Sequence, residues 1–73
     1  MRVQYDTQAD ALYIELRPLE PGTAQARDLT NEITADYGPD GTLAGIEILD
    51  ASKCLGRDEL KRIVLEVTPI TAV

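Results

Sequence analysis

Hydrophobic and polar positions alternate along most of this chain. In Arg2 to Tyr5, Val3 and Tyr5 take one side and Arg2 and Gln4 the other, the period of a half-buried strand. Asp6-Thr7-Gln8-Ala9-Asp10 then supplies turn chemistry, because Asp side chains bond nearby backbone N–H groups. Ala11 to Arg17 alternates again, with Leu12, Ile14 and Leu16 against Tyr13, Glu15 and Arg17, and the two runs predict a hairpin. Pro18-Leu19-Glu20-Pro21-Gly22 breaks the pattern, since proline has no N–H for a ladder. Thr23 to Leu29 is a weaker, more polar strand suited to a sheet edge. Glu32 to Tyr37 sets Ile33, Ala35 and Tyr37 against Glu32, Thr34 and Asp36. Gly38-Pro39-Asp40-Gly41 is the strongest turn signal, and it leads into the strand Leu43 to Leu49, with Ile46 and Ile48 on one face.

The end of the chain reads differently. Asp50 is placed to cap a helical turn over Ala51 to Leu55, with Gly56 as its stop. Leu60, Ile63, Val64 and Val67 fall on one helical stripe, which predicts a helix from about Asp58. The β-branched run Ile63-Val64-Leu65-Glu66-Val67 leaves open a helical turn followed by a strand. Pro69 ends either form, and Thr71 to Val73 is expected to fray. The fold class is therefore α+β: a small antiparallel β-meander of about five strands with a short C-terminal helix packed on one face. Residues 1–73 read as one β-rich domain, with the C-terminal helix or strand over about 57–68.

Composition says what must hold such a sheet together. Seventy-three residues make a thin core, and scaffolds of this size lean on disulfides, metals or partner chains. Cys54 is the only cysteine and histidine is absent, so an internal disulfide is impossible and the usual zinc ligands are missing. Self-association, most simply a homodimer, is the expected source of further stability. The net charge of −6, from 13 acidic and 7 basic residues, disfavours nucleic-acid binding by the chain alone. It leaves room for a small basic protein partner. Met1 to Asp6 carries no apolar leader, and no run nears the ~20 residues needed to cross a bilayer. A cytoplasmic location away from membranes is expected.

Two stretches carry a resemblance. Tyr5-Asp6 followed by Ala9-Asp10-Ala11-Leu12-Tyr13-Ile14 resembles the opening of a small prokaryotic family catalogued as a domain of unknown function, DUF2283. Gly45-Ile46-Glu47-Ile48-Leu49-Asp50-Ala51-Ser52-Lys53 resembles its closing motif, and the turn from Tyr37 to Gly41 is similar to the segment before it. The resemblance covers about residues 1–55. It implies a compact β-rich domain with no established activity and no catalytic residues. Members can lie near small toxin-like proteins, so it also implies an antitoxin-type role.

Several constellations invite chemistry. Asp6 and Asp10 pair as cation ligands or, more simply, as turn formers. With sequential pairing, Glu15, Glu32, Asp36 and Glu47 share the polar sheet face, an acidic surface for a basic partner or the carboxylates of a small metal-dependent hydrolase. Tyr13, on the same face, is the aromatic contact candidate. Ser52 beside Lys53 lacks the histidine and glycine-rich elbow of a serine nucleophile, and a helix cap explains it better. Cys54 is either a thiol activated by Lys53 and Arg57 or a small, partly buried side chain. Lys53, Arg57, Lys61 and Arg62 form the one basic cluster, which either docks an acidic surface or offsets helix dipoles. The expectation is a non-enzymatic protein-interaction or structural module without cofactor or metal. Its partner-binding residues are Tyr13, Glu15, Glu32, Asp36, Glu47 and Lys53.

Overall fold

The computed structural model describes residues 1–69. Five strands form one antiparallel sheet: β1 (Arg2–Asp6), β2 (Ala11–Glu15), β3 (Gln25–Asp28), β4 (Ile33–Tyr37) and β5 (Leu43–Ile48). A five-residue helix α1 (Ala51–Leu55) and a 3-10 turn (Glu59–Lys61) follow. The α+β class, the five strands and the short helix after β5 agree with the alternation in the sequence. So does the β4–β5 turn, where Gly41 takes φ 79° and Gly38 N–H bonds the Thr42 carbonyl at 2.9 Å.

The strand order is β1-β2-β5-β4-β3, not the sequential order of a simple meander. β5 lies between β2 and β4. Gln25, Ala26, Arg27 and Asp28 are all exposed, so β3 has nothing to bury in a sheet interior. The apolar β5 does, and it takes the central place. The connection from β2 to β3 travels round the β4–β5 turn. Leu16 and Arg17 N–H groups both donate to the Ala44 carbonyl, at 2.8 and 3.2 Å. The Arg17 guanidinium reaches Asp40 at 2.8 Å and the Thr42 carbonyl at 3.2 Å. Ala44 is skipped in the β4–β5 register, where Asp36 faces Gly45 and Tyr37 faces Leu43. This bulge bends β5 where the connection passes.

The register builds two apolar rows across one face. Val3, Ile14, Ile46 and Ala35 lie side by side, as do Tyr5, Leu12, Ile48 and Ile33. Of the described residues, only Leu12 and the alanines 35, 44 and 51 form the buried apolar core. Ile14, Ile46 and Ile48 are half-buried. The sheet is one layer thick, and its greasy side is only partly covered by its own chain.

The other face carries Gln4, Tyr13, Glu47, Thr34 and Asp28 in one row. The next row runs Arg2, Glu15, Gly45, Asp36 and Ala26. Gly45 decides how these rows pack. A Cβ there would fall into the Tyr13 hydroxyl and ring and would sit 3.3 Å from the Ile14 carbonyl oxygen. Without it, the Tyr13 ring crosses over β5 and its hydroxyl donates to Asp36 at 2.9 Å.

The helix expected from about Asp58 is not formed. Only Glu59–Lys61 turns, as 3-10, and Arg62 is already extended with φ −131° and ψ 108°. Among the described residues, 62–69 contain no helix or strand. A stripe of Leu60, Ile63, Val64 and Val67 holds a helix only against an apolar surface. Here Ile63, Val64 and Val67 meet none, and β-branching costs them rotamer freedom in a helix. The expected fraying of Thr71 to Val73 lies outside the described residues.

Replacing Gly45 by Ala must expel the Tyr13 ring from its place over β5. The expected loss is about 1–3 kcal/mol, the usual range for overpacking a close contact. Urea unfolding of G45A, with G45A/Y13A recovering part of the loss, checks it.

Candidate functional site

Two arrangements of polar side chains stand out, and the first was not expected. Asp10 ends the β1–β2 turn in the left-handed region, with φ 52°. This conformation aims its carboxylate away from the turn and towards α1. The Tyr5 hydroxyl donates to Asp10 Oδ1 at 2.6 Å. Ser52 N–H donates to the same oxygen at 3.0 Å, and Ser52 Oγ donates to Oδ2 at 2.6 Å. The Ala51 N–H bonds the Asp10 carbonyl at 2.9 Å. One residue thus joins the first hairpin to the helix after β5.

Asp10 therefore does what Asp50 was expected to do. Asp50 makes no side-chain cap bond and adopts φ 50°; its carbonyl accepts from Lys53 and Cys54 instead. A free N–H at the start of α1 is satisfied by a carboxylate 42 positions earlier. Asp6 is a turn former, as expected, with Oδ1 accepting from Gln8 N–H at 2.9 Å and Ala9 N–H at 3.1 Å. Asp10 is not its equal partner in that turn.

The Asp10 carboxyl titrates below its ordinary range, first because Ser52 bonds the ionised form and then because Tyr5 does. The Tyr5 phenol is pushed up, chiefly by its bond to Asp10. Both hydroxyl protons are held by a carboxylate already accepting three bonds. That leaves Asp10 a structural acceptor rather than a free base for Ser52. A hollow of about 460 Å³ opens beside this cluster, between Tyr5, Thr7 and Ser52 on one side and Arg57, Leu60 and Lys61 on the other.

The second arrangement is the acidic face. The register brings Tyr13, Glu15, Asp36 and Glu47 together, although β2 pairs with β5 rather than with β3 as sequential pairing would have it. The Tyr13 phenol is pushed up, first by burial, then by its bond to Asp36, with the charges of Asp36, Glu15 and Glu47 adding to it. Tyr13 is half-buried, with its hydroxyl engaged by Asp36. Glu32 lies outside the strand: β4 begins at Ile33, and Glu32 belongs to the preceding turn. Its carbonyl accepts from Leu49 N–H at 2.8 Å. Lys53 stands in the last turn of α1, off the sheet. Among the described residues no three His, Cys, Asp or Glu side chains converge to hold a metal ion.

Two further expectations change. Cys54 is exposed rather than partly buried, and its thiol lies 3.6 Å from the Leu49 carbonyl. Of the basic cluster, Arg57 and Lys61 face the same hollow, and neither forms an ion pair among the described residues. The Tyr5–Asp10–Ser52 cluster could have been read from the chain in one way only. Tyr5 and Asp10 sit in the opening motif and Ser52 in the closing one, so the two motifs are the halves of one contact.

A single antiparallel sheet with a helix pinned across its end by the first hairpin defines a small α+β domain. No described helix is long and apolar enough to cross a membrane. The family described as "Protein of unknown function (DUF2283)" matches residues 2–52, and the chain belongs to it. The match ends at the residue that closes the Asp10 cluster. No curated protein and no solved structure matches the chain.

Asp10→Ala should lower the thermal midpoint clearly more than Asp50→Ala, because only Asp10 bonds the start of α1. Circular dichroism melts of the two variants give the comparison. The pH dependence has a defined sign. Asp10 and Asp40 titrate below 3.8, Asp40 at about 2, because Arg17 bonds its ionised form. Their contribution is whole above the unfolded carboxylate pKa and is lost as pH falls through the folded values. Tyr5 and Tyr13 titrate above 10.0, so theirs is whole below that and is lost as pH rises through the folded values. Urea midpoints are expected to fall below about pH 4 and again above about pH 10.

Proposed function

We propose that this domain is a non-enzymatic protein-interaction module that works as a homodimer, with the apolar sheet faces of two copies packed together. The observation that carries this reading is the exposed area. A monomeric protein of 8.0 kDa exposes about 4,500 Å². This chain exposes 6012 Å². The surplus, about 1,500 Å² per chain, is of the size that an obligate homodimer buries, and part of it lies on the exposed side chains of Ile63, Val64, Leu65 and Val67 beyond the sheet. The radius of gyration agrees: 14.4 Å, against about 11 Å for a compact chain of this length. Two sheets stacked through Val3, Ile14, Ile33, Ile46 and Ile48 would make the two-layer core that one copy lacks.

The same surfaces speak against an enzyme. Asp10 is engaged in holding α1, and the carboxylates of the acidic face lie on an open sheet rather than in a cleft. Sedimentation velocity of the full chain should give a dimer down to low micromolar concentration. A folded monomer persisting at 100-fold higher concentration would refute the reading.

A second reading rests on the acidic face. With the apolar side closed in the dimer, Tyr13, Glu15, Asp36 and Glu47 remain outward, and the chain carries a net charge of −6. This suits a small basic protein, as an antitoxin-like inhibitor would require. Glu15→Gln/Glu47→Gln should weaken such a complex and flatten its salt dependence, as measured by titration calorimetry.

A further inference from the structure

The segment that leaves the 3-10 turn has the sequence of a strand and none of its bonds. In Arg62 to Val67, Ile63, Leu65 and Val67 alternate with Val64 and Glu66, the period of a strand with one apolar side. The side chains stand open: Ile63 is 70%, Leu65 83% and Val67 82% exposed. The last backbone bond among the described residues runs from Arg62 N–H to the Glu59 carbonyl; none joins residues 63–69 to another described residue. A strand-patterned segment whose apolar side chains lie in water and whose backbone groups are free of protein partners is suited to pairing with a sheet edge, which would bury those side chains.

The sheet offers two edges. β3 is short, wholly exposed and charged, with Arg27 over the Tyr37 ring at 5.6 Å and Asp28 accepting from Thr34 at 3.0 Å. β1 has the pattern of the arm: Val3 and Tyr5 on the apolar face, Arg2, Gln4 and Asp6 on the other. The arm also starts beside β1, because Leu60 and Lys61 border the hollow that Tyr5 and Thr7 line. Among the described residues, no strand pairs with that edge.

We infer that Arg62–Val67 is an exchange arm: in the homodimer it adds as a sixth strand to the β1 edge of the second copy, and the partner's arm does the same in return. Ile63, Leu65 and Val67 then extend the apolar rows, while Val64 and Glu66 join the polar face. A two-fold axis near the β1 edges makes the exchange reciprocal, as an isologous interface requires. The arm also accounts for part of the surplus area, since its apolar side chains are among the most exposed in the chain. The inference rests on the dimer proposed above, but it concerns a different surface and fails separately.

The test uses the full chain and Ile63→Asp/Leu65→Asp. Both positions are open in the single copy, so the double variant should keep its far-ultraviolet circular dichroism. The wild type should be dimeric, and its 2–6 and 62–67 amides should be protected from hydrogen exchange in a way that fades on dilution. The double variant should raise the dimer dissociation constant about 100-fold or more and remove both protections, as the loss of two buried aliphatic contacts implies. A wild-type dimer matched by the double variant, with 62–67 exchanging freely, would leave the sheet-face dimer standing and eliminate the arm. Protection of 62–67 that does not change on dilution would place the arm on its own chain and refute exchange. Protection of Gln25–Asp28 in place of 2–6 would move it to the wrong edge. A wild-type monomer would end both proposals.

Discussion

A carboxylate at the end of the first hairpin holds the N-terminus of α1, and the arrangement of the sheet follows from it. For Asp10 to reach Ser52, β5 must deliver α1 to the end of β2 where the hairpin turns. That happens only if β5 lies next to β2. The last strand therefore takes the centre of the sheet, with β4 beside it and β3 at the edge. The bonds from Tyr5 and Ser52 to Asp10, and from Ala51 to its carbonyl, make one contact between parts of the chain far apart in sequence. The family match spans the stretch this contact encloses.

The two faces of the sheet solve different problems. On the polar face, like charges gather around Tyr13, and the missing side chain at Gly45 lets the ring lie across them and donate to Asp36. The phenol gives one of the carboxylates a partner, where three acidic side chains alone would only repel. On the apolar face there is no such internal remedy. Its rows are continuous, yet the chain covers them only in part, and among the described residues only Leu12 is larger than alanine in the buried apolar core. A single layer of sheet has one greasy side and needs a second layer, which residues 62–69 do not build.

That segment shows how pattern and environment divide the decision. Leu60, Ile63, Val64 and Val67 fit a helical stripe, while Ile63, Leu65 and Val67 fit a strand. Both periods are present in the same residues. A stripe becomes a helix only when something apolar receives it, and in the single copy nothing does. The backbone turns extended at Arg62, and the described residues after it form neither helix nor strand.

What the sequence determined alone was local: where strands run, where they turn, and which side of each is greasy. The alternation in Arg2–Tyr5, Ala11–Arg17, Glu32–Tyr37 and Leu43–Leu49 marked four strands, and the weaker run at Thr23–Leu29 marked the edge. Asp6, Gly38–Gly41 and Gly56 marked turns and a helix stop, because their conformational preferences act within a few residues. The tertiary structure decided everything that depends on distant partners. It placed β5 between β2 and β4, gave the α1 cap to Asp10 instead of Asp50, and left Glu32 in a turn. Side-chain period is the same whichever strand lies alongside, and a carboxylate can serve an N–H group nearby or 42 positions away. Neither choice is written in the spacing of the residues; each is made when the whole sheet closes.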